Sequence, residues 1–208
     1  MTNLIEMALR HQKQDIIVRG NFEMEDGKAC SIGCFNAELG NEPDDFQAFA
    51  LAAGIPEWAA HLHEKIFERL PDHDGAKFHV DVVTAYAGVT DWVEVYHKTM
   101  IAILEVALPH DKGGHVKKVM GMHKRGREVA KNEWAAARAD AYAAADPAAP
   151  ASYAAADAAA DAADADAYAA ADADAASYAA AAYSTYSTYT AAYTAIRDGF
   201  LSAMRDAK

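Results

Sequence analysis

Residues 91–109 read DWVEVYHKTMIAILEVALP, and they decide the fold class. Asp91 with Glu94 three residues on resembles a capping box, the start signal of a helix. Trp92, Val95, Tyr96, Met100, Ile103, Leu104 and Leu108 then recur at helical spacing. Pro109 cannot continue the hydrogen-bond ladder and terminates the element. A helix this apolar predicts the centre of a helical core.

Upstream, Gly54-Ile55-Pro56 stops one element and starts another, with Pro56 in the first turn of a helix carrying Leu62, Ile66, Phe67 and Leu70. Pro71 ends it, and a further helix over about 76–87 presents Phe78, Val82, Val83 and Tyr86. At the N-terminus, Thr2 is the expected cap of a helix burying Leu4, Ile5, Ala8 and Leu9. Ile16, Ile17 and Val18 read as a strand. Arg19-Gly20 breaks it, and Asn21 to Met24 and Lys28 to Phe35 flank Asp26-Gly27, a dipeptide that suits a type I′ turn, so a small β-hairpin is predicted near 16–36. Downstream of Pro109, Gly113-Gly114 is a loop, and Lys117, Lys118, Lys124, Arg125 and Arg127 mark a basic amphipathic helix.

Composition changes abruptly near Trp134. From Ala135 to Tyr183, alanine fills 31 of 49 positions. Alanine loses no side-chain freedom in a helix, so the segment predicts a long rod. Asp146-Pro147 and Pro150 predict a break at 146–150. The expected architecture is mainly α: a compact helical domain with a β-hairpin over 1–133, then a long Ala-rich helix or broken helix pair over 134–208.

The residues interrupting the alanines are ordered. Tyr142, Asp146, Pro150, Tyr153, Asp157, Asp161, Asp164, Tyr168 and Asp172 follow steps of 4, 4 and 3, an 11-residue period. Tyr153, Asp157, Asp161, Asp164, Tyr168 and Asp172 form a candidate partner-binding stripe; its solvated reading competes with recognition of a basic surface. Type I antifreeze helices resemble it in spacing, but their repeated residue is Thr. Tyr186, Tyr189, Tyr193, Ile196 and Phe200 instead step as a heptad seam and are candidates for helix packing. Residues 132–208 hold four Lys and Arg against eleven Asp and Glu.

The formal charge of −12 argues against nucleic-acid phosphates or anionic lipid as the main partner. No run of about 18 apolar residues predicts a membrane span, and the N-terminus lacks the pattern of a signal peptide. A reducing cytoplasm is the expected location. Cys30-Ser31-Ile32-Gly33-Cys34 is the most distinctive local string. A nucleophilic cysteine needs a nearby base, and none lies within the string; two small buried residues around a glycine is the simpler reading. His61 and His63 are two apart and face different directions on a helix, while His63-Glu64 is followed by Phe67 where a zinc helix needs a second histidine. No metal or cofactor is expected.

The strings Asp26–Cys34 and Gly54–Leu62, continued by Ile66-Phe67-Glu68-Arg69-Leu70-Pro71, resemble an uncharacterised family of phage and prophage proteins. That family carries a G-C-x-[IV]-G-C motif, a G-I-P-x-x-L-A-x-L-E-D-x-I-F-E segment and an Ala-rich tail. The chain departs from it at Ala29, at His63-Glu64 and at Phe35-Asn36. The resemblance implies a mobile-element setting in a host bacterial cytoplasm, with no assigned activity. The expected function is a non-enzymatic binding or assembly protein whose Ala-rich helix mediates helix–helix contacts, as a homo-oligomer. One alternative is a counter-defence inhibitor placing the acidic rod on a basic, DNA-binding surface of a host protein; another is a cysteine-dependent enzyme.

Overall fold

The computed structural model describes residues 3–22, 24, 26–144, 154–155, 158–159 and 186–208. Among these the chain is mainly helical and divides into two compact units, residues 1–90 (with Lys208) and 91–207. The compositional change near 134 lies inside the second unit. No described helix is long and apolar enough to cross a membrane.

The N-terminal unit contains α1 (Leu4–Gln14), α2 (Ser31–Leu39), α3 (Phe46–Ala53), α4 (Glu57–Phe67) and α5 (Asp72–Tyr86). Asn3 caps α1, its side chain accepting from the Glu6 N–H at 3.2 Å. The face α1 buries is Met7, Ala8 and His11, leaving Leu9 exposed. This rotation away from the expected face brings a histidine inward. Asp45 caps α3 through the Ala48 N–H at 2.8 Å. Phe35, Phe49, Phe67 and Phe78 are fully buried in this unit.

The β-hairpin expected over 16–36 does not form, although its turn does. Asp26 and Gly27 both adopt positive φ, 51° and 75°, as a type I′ turn requires. The arms then diverge from hairpin geometry. Ile17 and Ala29 make a single parallel bridge, with Val18 N–H donating to Ala29 and Ala29 N–H to Ile16. The predicted second strand is instead α2, because Cys30 acts as N-cap and its Sγ accepts from the Gly33 N–H at 3.4 Å. A Cβ on Gly33 would stand 2.2 Å from the Phe22 carbonyl oxygen, so glycine lets the helix approach the loop that precedes it.

The C-terminal unit contains α6 (Trp92–Ala107), α7 (His115–Arg125), α8 (Lys131–Ala144) and α9 (Tyr186–Asp206). Asp91 caps α6 by accepting from the Val93 and Glu94 N–H groups, each at 3.0 Å. Val95, Met100, Ile103 and Leu104 are fully buried, whereas Leu108 is exposed beyond the helix end. α9 packs along α6. A Cβ on Gly199 would come within 2.3 Å of the Ala102 Cβ, so the two backbones cross at a glycine–alanine contact. On α8, Trp134, Ala137 and Ala141 are buried. The helical residues Ala154, Ala155, Ala158 and Ala159 are buried as well.

Candidate functional site

Four helices of the N-terminal unit send polar side chains into its interior: His11 from α1, Ser31 from α2, His63 from α4, and His79 and Tyr86 from α5. The Tyr86 hydroxyl lies 3.1 Å from His63 Nδ1, and His63 Nε2 lies 2.7 Å from Ser31 Oγ. Ser31 Oγ is also 2.7 Å from His79 Nδ1, whose Nε2 is 3.1 Å from His11 Nδ1. His11 Nε2 reaches Glu38 Oε2 at 2.9 Å, and Arg10 holds the other Glu38 oxygen. Phe35 stacks on the His79 ring at 4.5 Å.

The carboxylate fixes the direction of every bond in this chain. Burial opposes ionisation of Glu38, but hydrogen bonds from Arg10 and His11 outweigh it and hold the carboxyl below its ordinary range. An ionised carboxylate only accepts, so His11 donates from Nε2 and accepts at Nδ1. His79 must then donate from Nε2, Ser31 donate to His79, His63 donate from Nε2 to Ser31, and Tyr86 donate to His63. Each imidazole is neutral, with one donor and one acceptor used. Burial pushes all three histidines down, His63 to about 3 and His79 well below its usual value. Burial raises the Tyr86 phenol.

A serine donating to a histidine at a helix N-terminus has the outline of a Ser–His nucleophile. Here Ser31 has no exposed surface, and His63 donates to the same oxygen that would attack. Both hydroxyl functions are engaged inside a packed interior. The chain's evident role is to fix the mutual register of α1, α2, α4 and α5, since its partners are all satisfied in one arrangement only.

The residues singled out from sequence divide into three groups. Cys30 and Cys34 are both buried free thiols. Burial, followed by the Glu64 charge, pushes the Cys30 thiol far up; burial raises Cys34 to about 11. Cys34 Sγ donates to the Ala29 carbonyl at 3.3 Å, and Gly33 permits the close approach of α2 to Phe22. The stripe of Tyr153, Asp157, Asp161, Asp164, Tyr168 and Asp172 lies outside the described residues, as does the break at 146–150. Of the seam, Tyr193, Ile196 and Phe200 are fully buried and Tyr189 half-buried on α9; Tyr186 begins the helix. Their partner surface includes α6 of the same unit.

The basic helix is engaged by the Ala-rich segment. Lys118 pairs with Asp140 at 2.7 Å and Arg125 with Glu133 at 2.9 Å, joining α7 to α8. His61 and His63 do face apart: His61 stacks on Phe46 at 4.1 Å, while His63 enters the core. Ser31, His11 and Glu38 were not distinguishable as a set from spacing, because 27 and 68 residues separate the bonded pairs His11–Glu38 and His11–His79. Beside the α6–α9 crossing runs a groove of about 610 Å3 lined by Ala102, Ala191, Ala192, Ala195, Gly199 and Ser202 among others. No family model matches the chain, and no curated protein or solved structure matches it either.

Proposed function

We propose that this chain is a non-enzymatic binding or assembly protein that associates through helix–helix contacts of its alanine-rich C-terminal third, a second copy of the chain being the partner. The observation that carries this reading is the groove along α6 and α9, lined mostly by small residues together with Glu105, Val106 and Asp198. Ala191 and Ala195 are exposed there, next to a crossing already built from Gly199 and Ala102. Small side chains let a further helix backbone approach closely, the arrangement that alanine-rich faces favour. The buried alanines at 137, 141, 154, 155, 158 and 159 support it, since alanine faces elsewhere in this chain are packing faces. Burial and the raised thiols weigh against a cysteine nucleophile. The phage setting rests on the motif resemblance alone.

Light scattering of the full chain over a range of concentrations tests the proposal. A mass above the 22.3 kDa of one chain is expected, falling to one chain when Ala191→Glu and Ala195→Glu are combined. A mass of one chain at every concentration, or an assembly indifferent to both substitutions, rules it out.

A second reading is favoured by the ion pairs Lys118–Asp140 and Arg125–Glu133, in which Asp140 of the Ala-rich segment and Glu133 just before it engage a basic helix. An acidic stripe extending that pattern would recognise a basic surface on another protein. Replacing Asp157, Asp161, Asp164 and Asp172 by Asn should then abolish retention of the chain on a lysine-rich helical peptide column, and unchanged retention would end that reading.

A further inference from the structure

We propose that Cys30, Glu64 and Glu68 form a binding site for a thiophilic divalent cation of the zinc class. One ligand atom from each residue, the Cys30 sulfur and a carboxylate oxygen from each glutamate, can be chosen so that all three lie within 4.8 Å of one another. Tetrahedral coordination at usual Zn–S and Zn–O lengths needs separations of about 3.3–3.5 Å, so a bound ion would hold the three atoms at the short end of the range up to 4.8 Å.

The position of the Glu64 carboxylate points to a ligand. Its Oε2 accepts from the Ile32 N–H at 2.9 Å, whereas Oε1 is buried without a well-formed hydrogen bond, the Cys30 thiol and the Glu68 carboxyl being its charged or polar neighbours. A buried acceptor left unsatisfied costs about 1–3 kcal/mol, more when charged, so native folds seldom retain one without reason. A cation bound between Glu64, Glu68 and the thiol would satisfy it. It would also resolve the crowding of three groups that become anionic on ionisation at one point of the interior.

The surroundings are built as an outer shell should be. Both oxygens of Glu68 accept from the Gly20 N–H, at 2.9 and 2.8 Å, and the Ile32 N–H orients Glu64. Such backbone donors fix ligating carboxylates without competing for the ion. Cys30 and Glu64 are buried while Glu68 is half-buried, which leaves that side open for entry and for a water as fourth ligand. A thiolate among few ligands selects against calcium and magnesium, which prefer six or more oxygens. Cys34 is not part of the set: its thiol donates to the Ala29 carbonyl. The site thus separates the two cysteines of the motif, one a ligand and one a packing residue.

Cobalt(II), which occupies zinc sites and reports thiolate bonding through a near-ultraviolet charge-transfer band, tests the assignment on the untagged full chain. The expected result is one equivalent of Co2+ bound with that band, displaced by Zn2+. The band should disappear in Cys30→Ser, persist in Cys34→Ser, and weaken with at least a tenfold loss of affinity in Glu68→Gln. Glu68 is half-buried, so its variant is the safer for folding, with helicity checked by circular dichroism. Absence of the band in the unmodified protein overturns the proposal, as does a band that survives Cys30→Ser or is untouched by folded Glu68→Gln. A proton shared between the two glutamates would then account for the site. Because these readouts depend on the metal and not on the mass, they stand apart from the test of assembly.

Discussion

The two units solve the same problem, packing helices against one another, with opposite chemistry. In residues 1–90 the helices meet through a line of hydrogen bonds that starts from Arg10 and Glu38 at the surface and runs inward through the buried His11, His79, Ser31 and His63 to Tyr86. In residues 91–207, α6 and α9 meet through Gly199 on Ala102, with Tyr193, Ile196 and Phe200 buried along α9. A polar line tolerates one register and one protonation state. A small-residue crossing tolerates one volume. The first should therefore be sensitive to pH and to loss of a single hydroxyl, the second to a single methyl.

The largest effect is expected at the middle of the polar line. Ser31→Ala leaves a donor on His63 and an acceptor on His79 buried without partners, a cost of about 2–5 kcal/mol visible as a lower urea midpoint. A loss under about 1 kcal/mol would mean that the line does not organise its unit. In the other unit, Gly199→Ala places a methyl 2.3 Å from the Ala102 Cβ. Overpacking of this kind costs about 1–3 kcal/mol, despite the better helix propensity of alanine, and Ala102→Gly in the same chain should recover most of it. Failure of that second substitution to compensate would place the strain elsewhere.

Acid should distinguish the units. His11 and His79 lie below the ordinary value of 6.5 in the folded chain because burial disfavours their charged forms. The unfolded chain therefore takes up protons first as pH falls. Stability is full above about pH 6.5 and is lost on acidification, with a slope of about 1.4 kcal/mol per pH unit for each histidine that stays neutral. His97 on α6 is also held low by burial, beside His123 of α7, so the second unit loses stability in acid as well, but through fewer such histidines. Hydrogen exchange resolved by residue, compared at pH 7 and 5.5, should show protection falling more in α1, α2, α4 and α5 than in α9. Equal losses in α9 would contradict this.

The smallest effect is an expected absence of reaction. Cys30 and Cys34 are buried and their thiols raised, so a thiol reagent at pH 7 should label neither in the native chain and both after unfolding. Fast native labelling would revive a cysteine nucleophile.

The features legible in the sequence are the local ones. The apolar period of 92–108, its Asp91 cap and its proline stop specify α6 almost to the residue. The Asp26-Gly27 turn was also readable, because positive φ at two successive positions is a property of those residues. The hairpin built on it was not, because the path of the chain beyond the turn is decided by Cys30 capping a helix and by Gly33 tucked beneath Phe22. Lys28 to Phe35 carries small and β-branched residues compatible with a strand, and tertiary packing overrides that preference. The polar line was beyond sequence reading for a similar reason: each histidine alone looks like any core histidine, and only the fold brings the four helices to one line. Glu64 and Glu68 are four apart on paper, yet their nearness to Cys30 depends on how α2 meets α4.

Nitrogen-15 NMR of the imidazole rings tests most directly whether the chemistry-bearing residues of the N-terminal unit are committed to the fold and not to turnover. At pH 7, His11, His63 and His79 should all be neutral with the proton on Nε2, and none should titrate near the ordinary 6.5. A charged ring, an Nδ1-protonated tautomer or a histidine of this set titrating near 6.5 would contradict it and put an available base beside Ser31.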